Sequence, residues 1–163
     1  MPLFERQYNA RGITADRKAV TIPPSYMLQK FGPVLDAIVS PAKQRLDVLG
    51  EDRPAISAPI SGLAIIDTGA SGTSVDASVC EKLGIKPTAR RKIAHAGGSD
   101  IRSCYPIQIS FPGSPLPAII VPRAMSADLQ FGKTPYILLL GRDLLIRLRF
   151  VYNGPAGRIE IAF

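Results

Sequence analysis

Gly62-Leu-Ala-Ile-Ile-Asp-Thr-Gly-Ala-Ser71 is the stretch whose reading decides the fold. Four apolar residues, Leu63 to Ile66, stop abruptly at an acid and a run of residues with little bulk. A short apolar run is ambiguous between strand and helix by periodicity alone. The β-branched pair Ile65-Ile66 and the bracketing Gly62 and Gly69 favour a strand. That strand delivers Asp67 into a turn. Burying an uncompensated carboxylate is costly, and the turn offers compensation: Thr68 can hydrogen-bond within it, and Gly69 lets a backbone amide approach the acid. The arrangement suits a carboxylate held rigidly and partly desolvated.

Two later segments belong with this one. Ile137-Leu-Leu-Leu-Gly-Arg-Asp-Leu-Leu145 is an apolar run that also ends in a turn, and Ala94-His-Ala-Gly-Gly-Ser-Asp100 lies between. Asp67-Thr68-Gly69-Ala70-Ser71 after an apolar strand resembles the active-site signature of the retropepsin-like aspartic proteases. The segment from Ile137 to Leu145 is similar to the family's apolar-apolar-Gly-Arg-Asp/Asn element, which packs behind the catalytic loop. Ala94 to Asp100 resembles the family's glycine-rich flap tip. Order and spacing agree from about Gly62 to Phe163. The ending, Phe150-Val-Tyr-Asn-Gly-Pro-Ala-Gly-Arg-Ile-Glu-Ile-Ala-Phe163, looks most like bacterial single-domain members, which close with a similar hairpin.

The resemblance implies a mainly β, closed β-barrel with one or two short helices, assembled as a homodimer. Residues 33–163 would form the single protease domain, behind a basic N-terminal extension of residues 1–32. Asp67 would be catalytic, with Thr68 and Gly69 supporting the active-site turn. Ala70, Ser71, Ala96, Gly97 and Gly98 would bind an extended peptide or protein substrate. Gly141, Arg142 and Asp143 would be structural near the site, and Arg142 can reach back to carbonyls or a carboxylate near the catalytic turn. In the viral members the terminal strands of the two subunits interleave. Here the Asn153-Gly154 and Gly157 turns predict a hairpin that folds back on its own subunit.

Hydrolysis of a peptide bond by carboxylates needs two of them, one ionised to take a proton from water and one protonated to polarise the carbonyl. Like charges at about 3 Å cannot both ionise, so such a pair shares one proton and titrates as a unit. This chain carries one Asp-Thr-Gly. Asp143 is the other candidate acid, but the resemblance gives its segment a packing role. The second carboxylate is then Asp67 of another copy, related by a twofold axis. No cofactor and no metal enter this chemistry.

Other chemistries fit less well. Gly69-Ala-Ser-Gly-Thr73 has Thr where a nucleophile elbow needs its last glycine. A serine triad would require His95, which lies in the flap-like segment. No glycine-rich Lys-Ser/Thr phosphate loop is present. One rival keeps the fold and drops the chemistry: a non-proteolytic retropepsin-like dimerisation or interaction module. The formal net charge of +7 raises a third reading, a nucleic-acid-binding domain. Its charges are scattered, with only Arg90-Arg91-Lys92 contiguous, and no known binding motif accompanies them, so no nucleic-acid partner is expected.

Fifteen Pro and fourteen Gly, with 7% aromatic residues, indicate a turn-rich, mainly β domain. Cys80 and Cys104, with the single His95, make neither a disulfide framework nor a metal site of familiar spacing. There is no charged-then-apolar leader and no run of about eighteen apolar residues. The expectation is a soluble, cytoplasmic protein with free thiols and no membrane span.

In chain order, residues 1 to about 24 read as an arm that lies on the body or stays mobile. Ser25 to Gly32 fits one helical turn or an extended segment. Pro33 to Val39 reads as a strand. Ser40 as N-cap, Pro41 at the first helical position and Gly50 beyond the end predict a helix of about nine residues, with a loop as the other reading. Asp76 is placed to cap a helix whose Val79 and Leu83 share a face and which Gly84 ends. Residues 91–95 and 101–111 read as arms of a hairpin whose glycines make either an ordinary turn or a mobile flap tip. Ala118 to Val121 and Tyr136 to Leu140 are further strands, the second apolar throughout, as in a strand covered on both faces. Asp143 is placed to cap a short helix from Leu144 to about Arg149.

Overall fold

The computed structural model describes residues 2–13, 19–42, 58–95, 98–130 and 132–162. In chain order its elements are β1 (Leu3–Gln7), β2 (Ala10–Ile13), β3 (Ala19–Ile22), α1 (Pro24–Phe31), β4 (Val34–Pro41), β5 (Ile60–Ile66), β6 (Ser74–Asp76), α2 (Ala77–Lys82), β7 (Ala89–His95), β8 (Gly98–Ser110), β9 (Ile119–Ala127), β10 (Tyr136–Leu140), α3 (Arg142–Leu145), β11 (Arg149–Asn153) and β12 (Arg158–Ala162). The chain is mainly β, as its composition indicated.

Seven strands form one sheet in the order β4-β5-β10-β6-β9-β8-β7, and β4 also pairs with β8. The last pairing closes six of the strands into a ring, which removes their edges. Only β7 hangs outside it, as the second arm of the β7–β8 hairpin. β8 explains how one strand can do both jobs. Its far half alternates, with Ile107 and Ile109 buried and Gln108 and Ser110 half-exposed, so it lines the barrel. Its near half, from Gly98, pairs with β7 through His95↔Gly98 to Ala89↔Cys104.

β5 lies between β4, antiparallel, and β10, parallel with Leu140 opposite Ile66. β10 is apolar throughout because both its faces are covered: the neighbours Ile137 and Leu138 are each fully buried. A parallel pair at the centre of the barrel therefore ends with the chains leaving side by side, one into Asp67 and the other into Gly141.

A second sheet, in the order β1-β12-β11, is antiparallel throughout. The predicted terminal hairpin is present and folds back on its own chain. Ile159 and Ile161 of β12 are buried, with Phe4 and Phe150 packed against the same core. Residues 3–7 of the N-terminal arm lie on the body, paired with β12, and Tyr8 pins them there: its hydroxyl accepts from Val34 N at 2.7 Å and donates to Gly32 O at 3.0 Å. Burial pushes the Tyr8 hydroxyl pKa above its ordinary value, opposed by the Val34 hydrogen bond. At the β11–β12 turn Gly157 has φ +59°, and a Cβ there would fall 2.1 Å from the carbonyl carbon of Pro24. That turn is thus seated on the start of α1.

Three local readings differ from what formed. Ser40 and Pro41 do not start a helix. They continue β4, where Ser40 sits opposite Gln108 and Pro41 opposite Ile107; Pro41 is tolerated because the pairing with β5 has ended at Val39, so it has a strand on one side only. The remainder of that expected helix lies outside the described residues. The helix expected from Leu144 to Arg149 is instead Arg142–Leu145, with Gly141 at the N-cap and Arg149 already in β11. The strand expected at Ala118 to Val121 runs on to Ala127, because its second half pairs with both β6 and β8. The choice left open at Ser25 resolves as α1, with Pro at its start and Gly32 after its end. α2 forms as expected, with Asp76 accepting from Ser78 N at 2.9 Å. No helix among the described residues is long and apolar enough to cross a membrane.

Candidate active site

The turn after β5 is built around the Asp67 side chain. Asp67 N donates to Leu140 O at 3.0 Å, continuing the β5–β10 pairing one residue beyond the strand. Oδ1 then accepts from Gly69 N at 2.8 Å and from Ala70 N at 3.2 Å. Two amides on one carboxylate oxygen fix the side chain. No hydrogen bond engages Oδ2 among the described residues. Asp67 and Ala70 are half-buried, while Thr68, Gly69 and Ser71 are exposed. The acid is therefore rigid, with solvent at its open side.

The turn is braced from behind by the Gly-Arg-Asp segment. Arg142 Nη1 donates to Thr68 O at 2.7 Å and to Gly69 O at 2.9 Å, and Arg142 N donates to Ala70 O at 3.0 Å. Three carbonyls of the turn are thus held by one residue, which leaves its amides aimed at Asp67. Gly141 sits so close to the turn that a Cβ on it would lie 2.4 Å from the carbonyl carbon of Gly72. Asp143 does not face Asp67's role. Its Oδ2 accepts from Thr73 N at 3.0 Å, and its Oδ1 accepts from Thr73 Oγ1 at 2.8 Å and from Leu144 N at 2.9 Å.

Thr73 is the residue that reading the sequence missed. It is buried, and its hydroxyl both donates to Asp143 and accepts from Gly141 N at 3.2 Å, while its carbonyl accepts from Met125 N at 3.0 Å. One side chain joins the Asp67 turn, the Gly-Arg-Asp segment and β9. The available signal was a hydroxyl in the polar run Ser71-Gly-Thr-Ser74 just before a buried Val75. Valine at 73 keeps the shape, strands the Gly141 amide and takes a donor from Asp143. We expect Thr73→Val to lose about 2 kcal/mol, read as a lower urea midpoint at an unchanged m value.

Of the residues expected to bind substrate, Gly98 is exposed at the start of β8, with φ +131°. Ala96 and Gly97 lie outside the described residues. Cys80 and Cys104 are free and buried. Burial pushes the Cys80 thiol up to about 12, with the Asp76 and Glu81 charges adding to it, so it stays protonated and is no nucleophile. A cavity of about 400 Å³ near Asp76, Glu81, Asp128 and Lys133 lies off the Asp67 turn. No group of three or more His, Cys, Asp or Glu is placed to hold a metal ion among the described residues.

No family model and no curated protein matches the chain. Among solved structures, the protease of simian foamy virus (mac) is similar with a TM-score of 0.42 and 14% identity, over 70% of this chain and 92% of that one. The EIAV protease, in complex with the inhibitor HBY-793, is similar with a TM-score of 0.41 and 21% identity, over 71% of this chain and 86% of that one.

Proposed function

We propose that this chain is a retropepsin-like aspartic endopeptidase whose active site is completed by Asp67 of a second copy. The observation that carries the reading is the Asp67 carboxylate, with one oxygen held by two amides and the other without a hydrogen bond among the described residues. A pair of such groups across a twofold axis would share one proton. The ionised member takes a proton from water, and the protonated member polarises the scissile carbonyl. Thr68 and Gly69 set the geometry of the turn. Ala70, Ser71 and the hairpin tip at Ala96, Gly97 and Gly98 contact an extended peptide.

Asp143 is a poor in-chain partner because both its oxygens are spent behind the turn. This favours the homodimer. The expected result with a peptide library is cleavage that rises and falls across an acidic optimum and persists in a chelator. A rate still climbing toward alkaline pH would rule out the shared-proton pair. No cleavage of any peptide at any pH would leave the interaction module as the better reading.

A further inference from the structure

We propose that the free edge of β7 is a docking site for an acidic extended segment of a partner protein, which adds to the sheet there as a further strand. β7 is paired with β8 on one side only among the described residues, so its other side presents a row of backbone N–H and C=O groups. Such an edge binds an extended peptide through its backbone, and the side chains beside it select which one.

Charge sets this edge apart. β7 carries Arg90, Arg91 and Lys92, all exposed, and no acid. Residues 89–104, the whole hairpin, hold four bases against one acid, a net +3 of the chain's +7. The other strands paired on one side are balanced or nearly so: β1 has Glu5 and Arg6, β2 has Arg11 alone, β3 has no charged residue and β11 has Arg149 alone. β8 is also open over residues 98–103, because its pairing with β9 starts at Cys104, and there Asp100 and Arg102 neutralise each other at 2.8 Å.

Charged side chains on an edge strand commonly guard against aggregation, but that role does not account for Arg91. It stands directly opposite Arg102 in the β7–β8 register, and like charges so placed are destabilising. Arg90 and Lys92, opposite Ser103 and Ile101, guard the edge without that cost. Among the described residues no acid pairs with Arg90, Arg91 or Lys92. A like-charge contact kept on an exposed strand fits a surface that meets acids.

Successive side chains of a strand point to opposite faces, so Arg90 and Lys92 share one face and Arg91 has the other. A partner strand with three consecutive Glu or Asp places a carboxylate beside each base while its backbone takes the edge. Nucleic acid fits less well. Ala89–His95 and residues 98–104 contain no Phe, Tyr or Trp on which a base could stack, and a phosphate backbone has no N–H and C=O ladder to offer the strand. The surface is separate from the Asp67 chemistry and holds whether or not the chain cuts.

The test uses the full chain with Asp67→Asn, which spares the probe from cleavage, and a fluorescent peptide Thr-Val-Glu-Glu-Glu-Val-Thr. Anisotropy at low salt should show saturable binding, about tenfold or more tighter than for the same peptide with Gln in place of Glu. Exchanging Arg90, Arg91 and Lys92 together for Gln should weaken binding by about tenfold or more, whereas Arg147→Gln with Arg149→Gln, which removes exposed bases elsewhere, should leave it within about twofold. N-methylation of alternate peptide nitrogens keeps the charge and blocks the backbone, and in one of its two phases it should weaken binding to a similar extent. Arg91→Gln alone should weaken binding while Tm holds or rises, and it carries the test if the triple variant does not fold. Equal binding by the Gln peptide, or by the base-to-Gln variant that folds, overturns the docking site. Equal binding by both N-methylated peptides overturns the added strand. A single-stranded oligonucleotide of equal charge that binds about tenfold tighter than the peptide makes the hairpin a nucleic-acid surface and overturns the proposal as well.

Discussion

Wild-type and Asp67→Asn chains, mixed unfolded and refolded together, should give activity that follows the square of the wild-type fraction. Asn keeps the shape of the side chain and much of its hydrogen bonding to Gly69 N and Ala70 N, but it cannot ionise. A hybrid site therefore lacks the shared-proton pair, and only wild-type pairs cut. At equal proportions about a quarter of full activity should remain, against about half for a site complete within each chain. The pure variant should lose activity by about 10³-fold or more, since the acid and the base both go. A linear dependence on the wild-type fraction contradicts the two-chain site. Attention would then pass to another carboxylate in the same chain.

The second large effect is on stability, at Gly141. Its backbone lies against that of Gly72, and an added Cβ would sit 2.4 Å from a carbonyl carbon and 2.5 Å from a carbonyl oxygen. No side-chain rotation relieves a clash between backbone atoms. Gly141→Ala must push the Asp67 turn and the Gly-Arg-Asp segment apart, stretching the Arg142 bonds to Thr68, Gly69 and Ala70. Overpacking of this kind costs about 3 kcal/mol. At roughly 2–4 °C per kcal/mol for a chain of this size, Tm should fall by about 6–12 °C. The comparison is made at one protein concentration, because the Tm of a chain that associates depends on it. Activity should fall more than the folded fraction does, because the turn that aims Asp67 is the part displaced. An unchanged Tm would mean that the two segments are less tightly opposed than the Gly72–Gly141 contact implies.

What could be read from the sequence around Asp67 was local. The apolar strand, the acid at its exit, the cap at Asp76 and the glycine-bracketed hairpin each carry their signal within a few residues, and each element formed there. What could not be read depends on partners far along the chain. Ser40-Pro41 has the punctuation of a helix start, but pairing with Gln108 and Ile107 wins over local propensity. Leu3–Gln7 has only a weak alternation of exposed and half-buried positions, and it is a strand because β12 lies beside it. Asp143 suited a cap, and it does bond Leu144 N, yet its second oxygen is drawn to Thr73, seventy positions away, and Gly141 takes the cap position. The Thr73 hub had no pattern of its own. A single hydroxyl in a polar run becomes informative only once the segments it joins are known to touch.

The β1–β12 pairing also bears on how the protein is made. Glu5 and Arg158 lie 3.5 Å apart across it and 153 positions apart in the chain. At about 5–20 residues per second, a ribosome needs roughly 8 to 30 s to pass from one to the other. Through that interval β1 has been synthesised and its partner strand has not. An orphan strand with half-buried Phe4 on one side is a hazard for aggregation and a natural hold for a chaperone. The β5 turn carrying Asp67 can be braced only after Arg142 has emerged, and the second sheet closes later still.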